Sequence, residues 1–481
     1  MKSTKIVCTI GPASHSKKII EEMARAGMNL VRMNFSHGSY SFHRKTIQAS
    51  RDVSKKLERH IGILLDLQGP KIRTGKLAKE TVELKQGDEV TLTIRDVEGD
   101  WNIMSVNYNR LPSEVKKSER ILLDDGNIEL RVIGLEQDSV RCKIINGGVI
   151  RSYRGVNLPE SIISVQSVTK KDVADLDFGI ENGVDFVALS FVRKPEDIQY
   201  LRMLMQERGT VLPIIAKIEK PEAIQNINGI IDEADGVMVA RGDLGAETSP
   251  QDVPVLQKMI IRKCNQAGKP VITATQMLES MIVHPRPTRA EAADVANAIF
   301  DGSDAVMLSG ETAMGEYPVR AVKTMAEIAQ RAEEEINRRE ADGFSPRRKE
   351  IPESDNIADC MSYSATRLTE LIYPRYIISF TLSGKTAALV SKYRPPVPVI
   401  AMSPNEEVLR RLSIYSSVYG VYIDHVSSTE QLLDRAEKIV VQKGFCREGD
   451  TVLFIGGVPV LAGEPTNMLK VHRVMLGQKN I

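Results

Sequence analysis

Two acids and a lysine in this sequence have the spacing for metal-assisted phosphate chemistry. Lys217 and Glu219 stand at i and i+2 in the apolar run PIIAKIE (213–219), so in a strand they project to one face. Asp243 closes a second apolar run, DGVMVARGD (235–243). Two carboxylates from adjacent strand ends, completed by hydroxyls and water, suit Mg²⁺, with Mn²⁺ able to take its place. A lysine beside a metal carboxylate can stabilise charge developing on a departing oxygen. Each acid taken alone is equally well a structural ion pair, and the pair has chemical meaning only if both face one mouth. No clustered His/Cys set accompanies them, which argues against zinc.

Other residues would extend such a site. Arg32 and Arg73 carry planar, permanently charged forks suited to phosphate oxygens. GDLGAE (242–247) offers glycine backbone near a helix start, where N–H groups could hold a carboxylate or phosphate; a plain turn is the alternative. Thr275 could relay a proton or simply bond backbone. Far along the chain, SFTLSGKT (379–386) resembles half of a phosphate-binding glycine loop, with Ser379 where the first glycine would stand. It still sets hydroxyls, a glycine and a lysine between a strand and a helix, which reads as a regulatory phosphate-ester site or as an ordinary capped turn.

These groups need a scaffold, and the chain shows one. Eight Val/Ile/Leu-rich runs with little alternation begin near 4, 29, 61, 185, 213, 235, 270 and 304, and helix-like stretches such as 17–27 and 195–209 separate them. Such runs suit strands buried on both faces of a parallel sheet. Eight strand–helix units favour an α/β fold of the closed (β/α)8 TIM-barrel type, with a doubly wound open sheet as the alternative. In a barrel the strand ends share one mouth. The ends carry Arg32, Asn34, Ser36 and His37 (strand two), Asp66 with Lys71 and Arg73 beyond (three), Lys217 and Glu219 (five), Arg241 to Asp243 (six), Thr273 and Thr275 (seven), and Ser309 and Glu311 (eight).

The rhythm breaks between Gly69 and Thr169. Val82/Leu84 and Val90/Leu92/Ile94 keep period two around a Gly-Asp turn, and Ile128/Leu130/Val132 and Val140/Cys142/Ile144 repeat it. This reads as a small all-β domain inserted after the third strand, able to close over the mouth as a lid. The expected division is a catalytic barrel over 1–69 and 169–340, an inserted lid over 70–168, a charged linker over 341–355, and a C-terminal α/β domain over 356–481, with strands near 376–381, 397–403, 418–424 and 450–456.

Lys+Arg 64 against Asp+Glu 63 leaves a charge of +1, so no basic surplus points to nucleic acid. The five cysteines are scattered, with no CxxC, and read as reduced thiols. No run approaches the roughly 18 apolar residues of a membrane span. The expectation is a multidomain cytoplasmic enzyme.

Several segments together resemble pyruvate kinase over essentially the whole length: TKIVCTIGPAS (4–14), VRMNFSHG (31–38), LDLQGPKIRTG (65–75), GVNLP (155–159), AKIEKPEA (216–223), MVARGDLGAE (238–247), TATQMLESM (273–281) and LSGETAMGEYP (308–318). The resemblance implies a TIM barrel with an inserted β-barrel lid and a C-terminal α/β domain. It implies phosphoryl transfer from phosphoenolpyruvate to ADP, giving pyruvate and ATP, usually in a homotetramer.

By the motifs, Glu219 and Asp243 would bind Mg²⁺, and Lys217 would neutralise the moving phosphoryl group and the enolate. Gly242, Asp243 and Thr275 would hold the substrate carboxylate, Arg32 would grip the phosphate, and Asn34, His37, Arg73 and the lid's Arg154 would touch the nucleotide. Potassium-requiring relatives carry glutamate where this chain has Lys71, and in them Asn34, Ser36, Asp66 and the backbone at Leu67 would correspond to K⁺ ligands. The Lys71 ammonium would then make K⁺ dispensable. Thr381, Ser383, Gly384, Lys385 and Thr386 would match a loop that binds a phosphorylated effector. A phosphoenolpyruvate-using lyase is a competing reading that would need no nucleotide-facing Arg154; a non-catalytic nucleotide or sugar-phosphate sensor would not need both acids and Lys217.

Overall fold

The computed structural model describes residues 1–124, 126–161, 163–341, 356–426, 428–459 and 464–475 of the chain. The eight apolar runs form the strands Lys5–Thr9, Leu30–Asn34, Gly62–Asp66, Phe186–Leu189, Ile214–Ile218, Gly236–Ala240, Val271–Ala274 and Ala305–Leu308. They pair in parallel in chain order, and the eighth returns to the first, so the sheet is a closed barrel and not an open one. The lack of alternation has a direct cause. Val7, Leu30, Leu64, Ile215, Met238 and Ile272 fill the barrel interior, while Ile6, Val31, Ile63, Leu65 and Val187 pack under the outer helices.

Sequence fixes several of those helices at their first turn. Ser16 accepts from the Ile19 N–H to start Lys17–Ala26, and Thr169 and Thr288 form capping boxes with Asp172 and Glu291. Pro195 at the first position starts Pro195–Gln206.

Along the strands the inward positions recur every second residue, and their character changes towards the C-terminal ends. Leu30 gives way to Arg32, Leu64 to Asp66, Ala188 to Ser190, and Ile215 to Lys217. The apolar layers form the floor of the mouth, and the polar layer above them is the candidate site. The opposite end of the barrel interior is closed by Ile414.

The chain between barrel strands three and four builds a separate β unit. It comprises a six-stranded sheet and the paired strands Thr81–Leu84 and Gly148–Arg151, around a core of Leu92, Leu130, Val132, Val140, Cys142 and Ile144. The period-two residues expected from the sequence face that core, but the Gly87-Asp88 turn does not close a hairpin. Thr81–Leu84 pairs with Gly148–Arg151, and Glu89–Thr93 pairs with Ser139–Asn146. Gly87, at φ +92°, donates its N–H to the Ile144 carbonyl and hands the chain from one ladder to the other.

The C-terminal region is a five-stranded sheet in the order Val418–Tyr422, Val399–Ser403, Tyr376–Phe380, Thr451–Gly456 and Met468–Arg473, the last antiparallel. That fifth strand was not read from the sequence: it is an edge strand with mostly exposed or half-buried residues and no apolar run. The expected linker lies almost wholly outside the described residues.

This region is bolted to the base of the barrel. Arg394 pairs with both oxygens of Asp304, Arg410 pairs with Asp185, and the Lys5 ammonium donates to the Val418 carbonyl at 2.5 Å. All five cysteines are free thiols. No described helix is long and apolar enough to cross a membrane.

Candidate active site

Register brings the polar layer together. Asn34 stands beside Asp66 across strands two and three, and Lys217 beside Met238 across strands five and six. Arg32 donates Nε to Asp66 Oδ2 at 2.6 Å and Nη1 to Thr9 Oγ1 at 2.8 Å. Lys217 Nζ lies 2.9 Å from Glu219 Oε1 and 3.2 Å from Asp66 Oδ1, and donates to Ser190 Oγ at 2.7 Å. Glu219 is anchored in turn, its Oε2 accepting from the Phe191 N–H at 2.7 Å. The result is a buried chain of alternating charge, Arg32–Asp66–Lys217–Glu219, across the floor of the mouth.

Charge within that chain follows from burial and neighbours. Burial pushes the Asp66 carboxyl up, but Lys217 and Arg32 outweigh it and hold it below the usual aspartate range. Burial pushes the Lys217 ammonium down, and Asp66 and Glu219 more than reverse this, so it stays charged above the usual lysine range. For Glu219, burial raises the carboxyl, Lys217 pulls it back, and the charge of Asp243 adds to the rise, leaving it above the usual glutamate range. Asp243 sits at the opening, with 28% of its side chain exposed.

A buried carboxyl whose proton affinity is raised partly by a second acid at the opening is, together with that acid, a donor set that a hard divalent cation relieves. The described residues hold no group of three or more His, Cys, Asp or Glu placed for a metal, so such an ion would take substrate and water oxygens as well. The residues present fit Mg²⁺ on those grounds.

Thr275 and Gln276, just past barrel strand seven, both have left-handed backbone, at φ +67° and +54°. For a β-branched residue this is a strained conformation, held here from outside. Arg241 Nη2 donates to the Thr275 carbonyl at 2.7 Å, and Arg241 is itself paired with Asp294. Thr275 Oγ1 accepts from the Gly242 N–H at 2.9 Å and donates to the Ala274 carbonyl at 2.7 Å. Gly242 and Asp243 lie in the first turn of the helix Arg241–Glu247, so that turn and Thr275 share one rim.

The mouth is cationic on the side of the inserted β unit. The His37 imidazole is held below its usual range by burial and by Arg73, Lys71 and Arg32. Arg73 Nη1 donates to the Tyr153 carbonyl at 3.0 Å, and Arg154 Nε lies 3.4 Å from Asp124 Oδ1. Three of the four groups read as a monovalent-cation set have partners within the protein. Asn34 Oδ1 accepts from the Ser36 N–H, the Leu67 carbonyl accepts from Ser190 Oγ, and Asp66 meets Arg32 and Lys217. Lys71 Nζ points to Asp243 Oδ1, at 3.6 Å.

Two other strand-end residues have structural partners. Thr273 Oγ1 bonds Ser303 Oγ, and Glu311 accepts from the Leu278 and Ser309 N–H groups. In the C-terminal sheet, Thr381, Ser383, Lys385 and Thr386 line a cavity of about 480 Å³. Gly384, at φ +89°, turns its N–H onto Thr381 Oγ1 and starts the helix Lys385–Lys392.

Sequence reading missed four neighbours of this site. Ser190 and Phe191 follow barrel strand four, whose end was the polar one left unassigned; the signal was the serine in LSFV (189–192). Lys220 and Glu247 form a buried ion pair beside the two acids. Their signal was adjacency: Lys220 follows Glu219, and Glu247 is one turn beyond Asp243.

Comparison with known proteins adds to this geometry. A family model described as "Pyruvate kinase, barrel domain" matches residues 1–322, and one described as "Pyruvate kinase, alpha/beta domain" matches 359–472. The chain is 46% identical over 474 residues to a pyruvate kinase of Geobacillus stearothermophilus, covering 98% of this chain and 80% of that protein. It is 45% identical over 476 residues to a pyruvate kinase of Staphylococcus aureus strain MRSA252, covering 98% of this chain and 81% of that one.

Proposed function

The chain belongs to the pyruvate kinase family and is a phosphotransferase, and from that premise we propose that it moves the phosphoryl group of phosphoenolpyruvate to ADP, giving pyruvate and ATP, the last step of glycolysis. The observation that carries the reading is Lys217. A fully charged ammonium, 2.9 Å from Glu219 and 3.2 Å from Asp66, stands on the floor of a barrel mouth that two acids and several arginines surround.

Phosphoryl transfer needs in-line placement and neutralised charge more than covalent help. Arg32, braced by Asp66 and Thr9, grips the donor phosphate. Lys217 meets the charge that builds on the phosphoryl oxygens and on the enolate oxygen. Gly242, Asp243 and Thr275 seat the substrate carboxylate on the rim. Glu219 and Asp243 would hold Mg²⁺, which when bound offsets the repulsion between two polyanions. Thr275 borders the route of the proton to the enolate carbon. Asn34, His37, Arg73 and Arg154 receive the nucleotide phosphates, and closing the lid over 70–168 keeps water from taking the phosphoryl group.

The same reading extends to regulation and setting. The 480 Å³ cavity takes a phosphorylated small molecule at Thr381, Ser383, Gly384, Lys385 and Thr386. Lys71 supplies the monovalent charge, so K⁺ is dispensable. Domain limits follow the expected ones, the molecule works as a homotetramer, and it resides in the cytoplasm. A coupled assay of pyruvate formation tests the core of this. Turnover should require phosphoenolpyruvate, ADP and Mg²⁺ together, and pyruvate release that proceeds equally without ADP would remove the kinase reading.

A further inference from the structure

We propose that Glu247 is a positioning residue that ties the ribbon carrying Arg73 and Arg154 to the barrel rim through Asn157, and thereby sets where those two arginines stand. The proposal rests on the phosphotransfer reading above.

The lid joins the barrel through a two-stranded antiparallel neck. Arg73 pairs with Gly155, the Thr74 N–H donates to the Arg154 carbonyl at 2.8 Å, and the Arg154 N–H donates to Thr74 Oγ1 at 2.9 Å. Both arginines therefore ride on one ribbon and move together.

Asn157 follows that ribbon directly, and its Nδ2 donates to Glu247 Oε1 at 2.6 Å. Glu247 ends the short helix whose first turn carries Gly242 and Asp243, and at i+4 it lies on the same side as Asp243. The same Oε1 meets the Lys220 ammonium, next in sequence to Glu219. The latch is thus fixed to the chain segments that present both acids.

Burial makes this contact directional. The Lys220 and Glu247 side chains are 6% and 1% exposed, so the carboxylate is held in place and Asn157 bonds a dry, ionised acceptor. Glu247 Oε2 is buried and accepts from nothing among the described residues. Cores seldom leave a carboxylate oxygen unmatched, so the residue is held here by what its other oxygen binds. A neighbouring link from this segment to the site, Lys71 to Asp243, is longer and more exposed. Elsewhere the returning lid chain is held at backbone, with Arg193 donating to the Ile163 and Val165 carbonyls.

The test uses the full-length enzyme. Asn157→Ala removes the tether and leaves the Lys220–Glu247 pair intact. The KM for ADP should rise about tenfold, the scale of one hydrogen bond to a charged group, while the KM for phosphoenolpyruvate stays within about twofold. Amide exchange should quicken at 72–74 and 154–156 but not in the barrel strands. Asn157→Asp alone sets two carboxylates together and should raise the KM for ADP further. Combining it with Glu247→Gln restores a donor, an acceptor and a partner for Lys220, and should recover much of the loss. The proposal falls if both KM values rise together, if neither moves, or if the double variant is no better than Asn157→Asp. Wild-type protein that forms no ATP would instead defeat the phosphotransfer reading, whatever the variants do.

Discussion

Glu219 and Asp243 differ in their surroundings although both are acids of one rim. Glu219 is 1% exposed and pinned by a backbone N–H, whereas Asp243 faces water. The buried acid should set how tightly the divalent ion is held. Glu219→Gln should raise the Mg²⁺ concentration for half-maximal turnover and lower kcat by about 10²-fold or more, the scale of losing one preorganised charge in a catalytic site; a Mg²⁺ titration of both enzymes checks it. Lys217→Met should cut kcat by about 10²- to 10³-fold with little change in ADP binding, measured by steady-state kinetics and by calorimetric titration of ADP. Lys71 reaches Asp243 at 3.6 Å, and three of the groups matching the K⁺ ligands of relatives already have partners: Asn34 Oδ1 in the Ser36 N–H, the Leu67 carbonyl in Ser190, and Asp66 in Arg32 and Lys217. Wild-type turnover should therefore be nearly indifferent to replacing K⁺ with a tetraalkylammonium ion, and Lys71→Glu should create a K⁺ requirement. A wild-type enzyme that is almost inactive without K⁺ would overturn that assignment.

At the scale of elements, the barrel strands were legible because burial on both faces writes an unbroken apolar run, and their ends named the mouth. Legibility stopped where an element is defined by a partner and not by its own pattern. Met468–Arg473 is a strand because Thr451–Gly456 offers it an edge, and Glu89–Thr93 ignores its turn neighbour because Ser139–Asn146 is the better ladder. The site followed the same division. Lys217, Glu219 and Arg32 were visible as polar residues interrupting apolar strands. The Lys220–Glu247 pair was not, since ion pairing between distant segments leaves no local mark.

Gly69 shows what one position at the exit from the barrel demands. It has φ +67°, and a Cβ there would stand 2.9 Å from Phe191 Cδ2. Gly69→Ala should cost about 1–2 kcal/mol from the left-handed backbone alone and should impair turnover more than it lowers the melting temperature of the barrel, because the strain falls where the chain leaves the third barrel strand for the inserted β unit. Parallel thermal unfolding and kinetics would separate the two effects.

For the whole molecule, the joint between barrel and C-terminal sheet contains a buried cation with unusual titration. Lys5 is 1% exposed, donates to the Val418 carbonyl, and lies 4.1 Å from the centre of the Tyr419 ring. Burial brings its pKa from 10.5 down to about 7. Between those values the unfolded chain binds the proton that the folded chain has released, so stability rises with pH across that window. Lys5→Met removes this dependence. Its melting temperature relative to wild type should be most favourable near pH 6 and should lose ground steadily by pH 9, at about 1.4 kcal/mol per pH unit above pH 7. A difference that is flat in pH would show that Lys5 stays charged throughout.

Ile414 gives that joint a consequence for how the polypeptide can be divided. It belongs to the C-terminal region, yet it completes the hydrophobic filling of the barrel beside Leu64, Ile215 and Met238. A fragment ending at residue 341 would open a greasy hole onto solvent directly beneath the catalytic floor. The gene therefore cannot be cut between its two family matches without spoiling the first product, and any minimal version of this enzyme must retain the stopper along with the vessel.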